Sequence, residues 1–408
     1  MDAALRRRLG LVTVALSIVA CQDALQDYPG APTGAPVDEA DDGGDADDPR
    51  HGGCAGPTGR ANDGTPLFDE LVGEAHGGCD LQAPSTEPEP PAPPPEPGPG
   101  PTGPSLPLFV EGSTTFVVLP DTQYYSLRFP GVFSSQTKWI ARNAIDRNIA
   151  YVFHLGDLVH YNKESEWKRA SAAMAELDGI VPYGLVTGNH DYGPSGDAST
   201  RESLFNQWFS FDDTELMPSF GGAYEAGKLD NSFHLFDAGG HAWVALLLEW
   251  GPRDEVVAWA NDVMGLYADR LGILVTHAYL NHNDRRYDHT DDIYPQAYNP
   301  HWYGTPGGVN DGEELWQKLV RQHRFVLTLS GHVLGDGTGY LASVNDHGRV
   351  VHQMLSNYQH RELGGEGYLR LLELEPDGRT MHVRTYSPWY DQYLTAADQD
   401  FTIELDVG

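Results

Sequence analysis

The stretch "LVTGNHDYG", residues 185–193, ends an apolar run with three side chains that can bind a metal ion or move a proton. Runs of apolar and β-branched residues of this length are typical of a buried strand. Gly188 separates the run from the polar residues, and glycine permits a tight turn and a close approach of backbone. The stretch therefore predicts a buried strand that presents Asn189, His190 and Asp191 at its carboxyl end.

Four other apolar runs end in the same way. "VVLPDTQYY" carries Asp121 and Gln123, "FHLGDLVH" carries Asp157, "ILVTHAYL" carries His277, and "TLSGHVLG" carries His332. In α/β sheets, ligands bind beyond the carboxyl ends of the strands. One such residue alone would be explained as a capping aspartate or a hydrogen-bonded core histidine, but five successive strand ends predict one shared site.

The chemical types of these side chains indicate a metal site. Carboxylate, carboxamide and imidazole groups without any thiolate suit Mn, Fe, Zn or Mg. Two neighbouring cations that share one carboxylate can hold a phosphoryl group and activate a water molecule at neutral pH.

The residues from 108 onward predict an α/β domain, because short apolar strands alternate with helical patterns. The helical patterns lie at residues 134–149, 165–177, 253–270 and 312–323. Residues 232–250 and 368–387 instead predict antiparallel hairpins, with Gly-Gly and Asp-Gly turns. The two patterns together predict an α/β sandwich of mixed sheets.

The overall charge excludes one class of partner. The chain has 408 residues and a formal net charge of −33, which repels nucleic acid, so we expect no nucleic-acid binding. An anionic substrate therefore requires a local cation to reverse the field. The three cysteines, at 21, 54 and 79, all precede the predicted domain, so thiolate chemistry is not expected in it.

The N-terminus has the pattern of an export signal. Three arginines at 6–8 precede a short apolar run that ends in "IVAC", residues 18–21. This ending resembles a bacterial lipobox, which implies a signal peptide over 1–21 and lipidation of Cys21; the alternative is an ordinary secretory signal. Gln22 follows in place of the aspartate that retains lipoproteins at the inner membrane. We therefore expect an outer-membrane lipoprotein, facing the periplasm or the cell surface.

Residues 22–107 are predicted to be a disordered linker before the domain at 108–408. This segment contains 17 Asp and Glu against two Arg, and its end is rich in proline. Such a composition cannot bury enough apolar surface to offset the entropy of ordering. "HGGC" occurs in it twice, and the repeat is a chance occurrence in a glycine-rich tract, a disulfide between Cys54 and Cys79, or a His/Cys metal site.

The order "D-x-Q … GD … GNHD … H … GH" resembles that of the calcineurin-like metallophosphoesterase superfamily, over most of residues 115–357. The resemblance implies a sandwich of two mixed β-sheets flanked by helices. It also implies a centre of two divalent metal ions and hydrolysis of a small phosphomonoester or phosphodiester. We further expect the chain to be a monomer that meets the membrane only through its lipid anchor.

The resemblance also assigns roles to individual residues. Asp157 is expected to bridge two ions, and one ion is completed by Asn189, His277 and His332. Asp121 is expected to hold the other ion, with Gln123 where the family usually has histidine.

His190 is not expected to bind metal. By the resemblance it protonates the leaving-group oxygen, and Asp191 orients and charges its imidazole.

Two departures from the family pattern fall on the Asp121 site. Besides Gln123, the last motif reads "GHVL" and places Leu334 where a second histidine is usual. We therefore expect two ions of unequal affinity. Asp336 is a candidate to replace the missing ligand, or is a residue of a turn between glycines. The alternative function is a non-catalytic binding or scaffold lipoprotein that keeps the fold and one metal, but retention of His190 and Asp191 favours an enzyme.

Overall fold

The computed structural model describes residues 109–293, 296–333 and 335–408, which form two stacked seven-stranded β-sheets between two layers of helices. The strands of the first sheet are β1 (Thr114–Leu119), β2 (Ile149–His154), β3 (Tyr183–Leu185), β11 (Leu369–Leu374), β12 (Thr380–Ser387), β13 (Gln392–Leu394) and β14 (Asp400–Glu404). The strands of the second sheet are β4 (Phe220–Ala223), β5 (Ser232–Ala238), β6 (His241–Leu248), β7 (Leu271–Thr276), β8 (Phe325–Ser330), β9 (Thr338–Val344) and β10 (Val350–Ser356).

Both sheets are mixed. The first runs in the order β13-β12-β11-β1-β2-β3, with β14 also paired to β12, and the second runs β4-β5-β6-β7-β8-β10-β9. In the first sheet β1, β2 and β3 are parallel, and in the second β6, β7, β8 and β10 are parallel. The predicted sandwich of two mixed sheets is confirmed.

Most of the helices that flank the sheets are short. They are α1 (Gln123–Leu127), α2 (Pro130–Asn143), α3 (Glu164–Met174), α4 (Phe205–Trp208), α5 (Phe211–Glu215), α6 (Asp254–Leu266), α7 (Gly312–Lys318) and α8 (Glu362–Gly365). Short 3₁₀ turns lie at Ala175–Leu177, Asn189–Asp191, Pro300–Trp302 and Val320–Gln322. All four predicted helical patterns are present, but the first begins at Pro130 rather than residue 134, because proline suits the first turn of a helix.

Each central strand contributes side chains to two separate hydrophobic clusters, one on each of its faces, as β6 illustrates. Trp243, Ala245 and Leu247 belong to the cluster between the sheets, and the intervening Val244 and Leu246 belong to the cluster under the outer helices. Successive side chains of a strand point to opposite faces, so an uninterrupted apolar run is buried on both sides. Burial on both faces fixes the register of the strand and hence the position of its carboxyl end.

Both predicted hairpins are confirmed. β5 and β6 pair around Gly239 and Gly240, and β11 and β12 pair around the Asp377-Gly378 turn. The predicted signal peptide, Cys21 and the linker with its two "HGGC" repeats lie outside the described residues. Within the described ranges, the structure contains no helix with the length and apolar character needed to cross a membrane.

Candidate metal centre

Parallel strands of both sheets end at one place, and the predicted side chains follow those ends. Asp121 follows β1, Asp157 follows β2, and Asn189 follows β3, whereas His277 and His332 follow β7 and β8 of the second sheet. All five are buried. Asp157, His277 and His332 each bring one potential ligand atom within 4.8 Å of the others. Each sheet therefore supplies part of a single cluster.

Asp157 lies at the middle of this cluster. Its Oδ1 accepts a hydrogen bond of 2.9 Å from the His190 amide, and its Oδ2 lies 3.1 Å from His277 Nε2. Asp157 has a φ of 50°, and His332 has a φ of 74°. Both are in the left-handed region, which non-glycine residues rarely adopt and which is enriched at functional sites. The backbone is therefore held in strained conformations at two of the predicted ligands.

Backbone carbonyls fix the orientation of both imidazoles. His277 Nδ1 lies 2.7 Å from the carbonyl oxygen of Leu155, and His332 Nε2 lies 2.8 Å from that of Tyr298. A histidine that donates one N–H to a carbonyl presents the lone pair of its other nitrogen to a metal. Both rings are therefore oriented as metal ligands are.

One buried polar atom of the cluster, Asn189 Oδ1, has no hydrogen-bond partner among the described residues. Among these residues, His277 Nε2 has only the contact of 3.1 Å with Asp157 Oδ2. Buried polar atoms are nearly always paired, so an unpaired one requires a partner such as an ion. An amide oxygen, an imidazole nitrogen and the Asp157 carboxylate together match the ligands of a divalent first-row metal ion or Mg²⁺. The residues present therefore fit the metal that the sequence predicts.

Two glycines allow the carboxylates to lie so close to the neighbouring strand ends. A Cβ on Gly188 would lie 2.1 Å from Asp157 Oδ1, and a Cβ on Gly331 would lie 2.3 Å from Asp121 Oδ1. No side chain fits at either position without displacing the carboxylate. The glycines in "TGNHD" and "SGH" are thus needed for the close approach that the sequence predicted.

Asp121 is held by two donors from the second sheet. Its Oδ2 accepts 2.7 Å from Asn357 Nδ2 and 3.2 Å from the amide of His332. Asn357 follows β10, the next parallel strand beyond β8. Because β10 ends at the same edge, its polar residue could have been added to the set from sequence.

Gln123 begins α1 and is buried, but its amide is already paired. Its Oε1 lies 3.0 Å from His160 Nδ1, and its Nε2 donates to Gln359 Oε1. Metal ligation by Gln123 would have to use the second lone pair of an oxygen that already contacts His160, so this role stays a prediction.

The other departure from the family pattern lies beside His332. Leu334 lies outside the described residues. Asp336 is exposed, and its Oδ1 accepts 3.3 Å from the Thr338 amide. This geometry is that of a turn residue.

His190 occupies the edge of the cluster. It is only partly buried, and its Nδ1 lies 3.0 Å from the carbonyl oxygen of His160. The Asp191 carboxylate instead accepts hydrogen bonds from the amides of Gly188, Leu158 and Val159, at 2.8, 3.2 and 3.0 Å. The prediction that Asp191 orients the imidazole is therefore wrong. Asp191 is fully buried, and it ties the loop after β2 to the loop after β3.

His160 is a site residue that the sequence interpretation missed. Its ring stacks on that of His190, with 4.7 Å between centroids and 16° between planes. It lies three residues after Asp157 on the same loop, in "GDLVH". The signal in the sequence was this second histidine, only three residues after the central carboxylate of Asp157.

The carboxylates and imidazoles shift one another's pKa values. Burial alone would raise the pKa of Asp157, but the imidazoles of His277 and His190 lower it below its usual range. Burial lowers the pKa of His277, but Asp157 and Asp121 outweigh this and raise it to about 9. Burial and the charge of His277 lower the pKa of His332 to about 3. His277 thus holds a proton at neutral pH in the metal-free chain, and binding a cation there releases it.

The carboxyl groups of Asp121 and Asp191 are more easily protonated than that of Asp157. Burial raises the pKa of Asp121, and the charge of Asp157 adds to this. Burial and Asp157 likewise raise the pKa of Asp191, against the three backbone N–H groups that lower it. Several acidic groups in one buried site repel one another, and a bound cation relieves that repulsion.

Comparison with known proteins places this cluster in context. The model of the calcineurin-like phosphoesterase family matches residues 114–336. The uncharacterized protein YvnB of Bacillus subtilis (strain 168) is 34% identical over 307 residues, which are 72% of this chain and 22% of YvnB. The chain therefore spans about a fifth of the length of that relative.

Solved structures with a similar arrangement include two phosphatases. A dimetal phosphatase from Danio rerio is 15% identical, with a TM-score of 0.45 over 71% of this chain and 98% of its own. Purple acid phosphatase PPD1 from yellow lupin seeds is 13% identical, with a TM-score of 0.43 over 72% of this chain and 54% of its own.

The family match covers more than half of the 408 residues and includes every strand end that contributes to the cluster. The chain belongs to the calcineurin-like phosphoesterase family.

Proposed function

We propose that this chain is a metal-dependent phosphoesterase that hydrolyses a phosphomonoester or phosphodiester. The observation that carries the proposal is the buried cluster at the joint edge of the two sheets. It combines the Asp157 carboxylate, two imidazoles oriented by carbonyls, and a buried Asn189 oxygen that has no partner among the described residues. The family to which the chain belongs supports the same reaction class.

The ligands of the ions would be Asp121, Asp157, Asn189, His277 and His332. Bound divalent ions would activate a water molecule and neutralise the charge of the phosphoryl group. In the chain itself, the lowered pKa of the buried Asp157 keeps it negatively charged, and Asn357 and the His332 amide keep Asp121 in place.

His190 is suited to the proton transfer. Its ring is partly exposed at the edge of the cluster, its Nδ1 is engaged with the His160 carbonyl, and its other nitrogen is left to meet a substrate oxygen. The stacked ring of His160 limits its rotation. A positioned acid of this kind accelerates departure of a leaving group by about two to four orders of magnitude.

The test is hydrolysis of p-nitrophenyl phosphate and bis(p-nitrophenyl) phosphate by the purified full chain, before and after chelation. Activity should disappear with the chelator, return with Mn²⁺, Zn²⁺ or Mg²⁺, and be absent from Asp157→Asn. His347→Ala is the control, because His347 is exposed and its side chain bonds the Gln322 carbonyl, away from the cluster. Metal binding without turnover of either ester would instead favour a binding or scaffold protein.

We propose further that two ions bind with unequal affinity. The His277 and His332 imidazoles serve one ion, and the other depends on Asp121 with the shared Asp157. Fewer nitrogen ligands mean weaker binding of a transition metal. One ion should survive dialysis of the purified chain, and the second should return on addition of Mn²⁺ or Mg²⁺ together with activity. Two ions that survive dialysis equally would contradict this.

The proposal includes export and anchoring of the chain by lipid at Cys21, on the basis of the N-terminal sequence alone. In a bacterial host that processes lipoproteins, Cys21→Ser should move the chain from the membrane fraction to the soluble fraction. Retention of the variant in membranes would refute lipid anchoring without bearing on the hydrolytic activity.

A further inference from the structure

A second group of metal-binding side chains lies outside the centre described above. It consists of His289, His301, Asp311 and Glu314, and one potential ligand atom of each lies within 4.8 Å of the others. The four residues come from separate parts of the connection between β7 and β8. His289 lies in the first part, His301 lies in the 3₁₀ turn, and Asp311 and Glu314 lie at the start of α7.

Three of the separations between these atoms lie within about 0.7 Å of the edge of a coordination tetrahedron. His289 Nδ1 lies 3.0 Å from Asp311 Oδ2 and 4.0 Å from Glu314 Oε2, and His301 Nε2 lies 2.7 Å from Glu314 Oε2. An ion with bonds of about 2.0–2.1 Å to four ligands holds them about 3.3 Å apart. The two shorter separations are hydrogen bonds between an imidazole and a carboxylate, and an ion would replace these bonds as the side chains move to bind it.

The two imidazoles approach from one side. Their rings stack with 3.8 Å between centroids and 27° between planes. Two imidazoles stacked this closely repel each other when both are protonated, whereas neutral rings can share one cation. Asp311 is fully buried, and its Oδ2 is fixed by the amide of His289 and by Asn299 Nδ2. A buried carboxylate with such supporting donors is typical of a metal ligand.

The nearby Lys318 does not contact the Glu314 oxygen that would bind the ion. Lys318 Nζ contacts Glu314 Oε1 at 3.1 Å and not the Oε2 that faces the histidines. Asp311 Oδ1 accepts from the Glu314 amide and caps α7, which leaves Oδ2 for the cluster. Glu314 Oε2 also accepts 3.1 Å from the Asp311 amide, so the ligand oxygen of Glu314 is shared with the helix cap.

The connection that carries this cluster also reaches the catalytic centre. The carbonyl of Tyr298 bonds His332 Nε2, and the ring of Tyr303 packs against Trp250 and His332. Between β7 and α7 the described residues contain the 3₁₀ turn at Pro300–Trp302 and an isolated antiparallel bridge between Leu280 and Arg286. Connections this long with so little secondary structure are uncommon and are usually functional when they are ordered.

We propose that His289, His301, Asp311 and Glu314 bind a structural transition-metal ion of the Zn²⁺ type, separate from the catalytic ions. Two nitrogens and two carboxylate oxygens in a closed tetrahedral set suit Zn²⁺. The ion fixes the connection that positions Tyr298 against His332. It takes no part in the hydrolysis, so the proposal does not depend on the substrate of the enzyme.

The test is the zinc content of the full chain carrying Asp157→Asn, which removes the bridging ligand of the catalytic centre. This protein should retain about one zinc ion per chain after dialysis. Adding Glu314→Gln should remove that ion, because glutamine keeps the helix cap but lacks the charge. Adding His301→Ala should remove it as well. Zinc should raise the melting temperature only when the four residues are intact.

The matched control is Asp157→Asn with His347→Ala, which removes an exposed histidine elsewhere and should keep the ion. Far-ultraviolet circular dichroism checks that each variant is folded. The proposal is overturned if the Asp157→Asn chain retains no zinc, or if the Glu314→Gln and His301→Ala variants retain as much as the control does. In those cases the four residues form only a hydrogen-bonded network.

Discussion

Asn357→Ala tests how the second sheet supports the weaker metal site. Asn357 Nδ2 donates 2.7 Å to Asp121 Oδ2, and both residues are buried. A hydrogen bond to a charged group contributes about 1.5–3 kcal/mol. Because each 1.4 kcal/mol is a factor of about ten in affinity, the ion that Asp121 holds should bind about 10- to 100-fold more weakly.

The measurement is the concentration of Mn²⁺ that restores half-maximal phosphoesterase activity after chelation. It should rise by that factor in the variant, while the maximal rate at saturating Mn²⁺ stays near that of the wild type. Asn143→Ala is the control, since Asn143 Nδ2 bonds the Trp139 carbonyl on α2, away from the cluster. An unchanged requirement for Mn²⁺ with a lower kcat/KM would refute the reasoning and assign Asn357 to the substrate.

Three further predictions concern other parts of the site and of the core. His190→Ala should lower kcat by about two to four orders of magnitude with unchanged metal content; a stoichiometric loss of metal would instead identify His190 as a ligand. Asp191→Ala should lower the free energy of unfolding in urea by about 3 kcal/mol or more, because three buried N–H groups lose their acceptor; unchanged stability would contradict the role given to Asp191. Burial lowers the pKa of His234 to about 3, whereas the unfolded chain binds this proton near pH 6.5. The unfolded state therefore takes up the proton first as the pH falls, and His234 alone should lower stability by roughly 1.4 kcal/mol per pH unit between about 6.5 and 3, in addition to the contributions of the other buried histidines. His234→Gln should lessen this slope, and equal slopes in the two proteins would exclude His234 as its source.

The sequence was sufficient to predict the five strands that end at the site, both hairpins and the grouping of the strand-end residues, whereas β4, β9, β10, β13 and β14 were not predicted. Apolar runs such as those of β7 and β8 are buried on both faces, and the carboxyl ends of parallel strands lie at one edge of a sheet. His277 and His332 could therefore be placed beside Asp157 although more than a hundred residues separate them in the chain.

The contacts of individual side chains could not be predicted in the same way. Asp191 was expected to contact its neighbour His190, but the 3₁₀ turn at Asn189–Asp191 directs the carboxylate inward to backbone amides. The stacking of His160 on His190 depends on the left-handed backbone at Asp157, which no apolar pattern encodes. The cluster around Asp311 joins segments of an irregular connection, where neither helical nor strand periodicity indicates which residues meet.

The division of the metal ligands between two sheets couples catalysis to the packing of the sandwich. Asp121, Asp157 and Asn189 move with the first sheet, and His277 and His332 move with the second. Any slip of one sheet over the other changes ligand distances at the centre, whereas a bound ion resists that slip. Phe116 and Trp243, which pack edge to face between the sheets at 5.3 Å, therefore set the alignment of the ligands as well as filling the core. Substitutions far inside the sandwich should thus act on this enzyme as changes in metal affinity before they act as loss of fold.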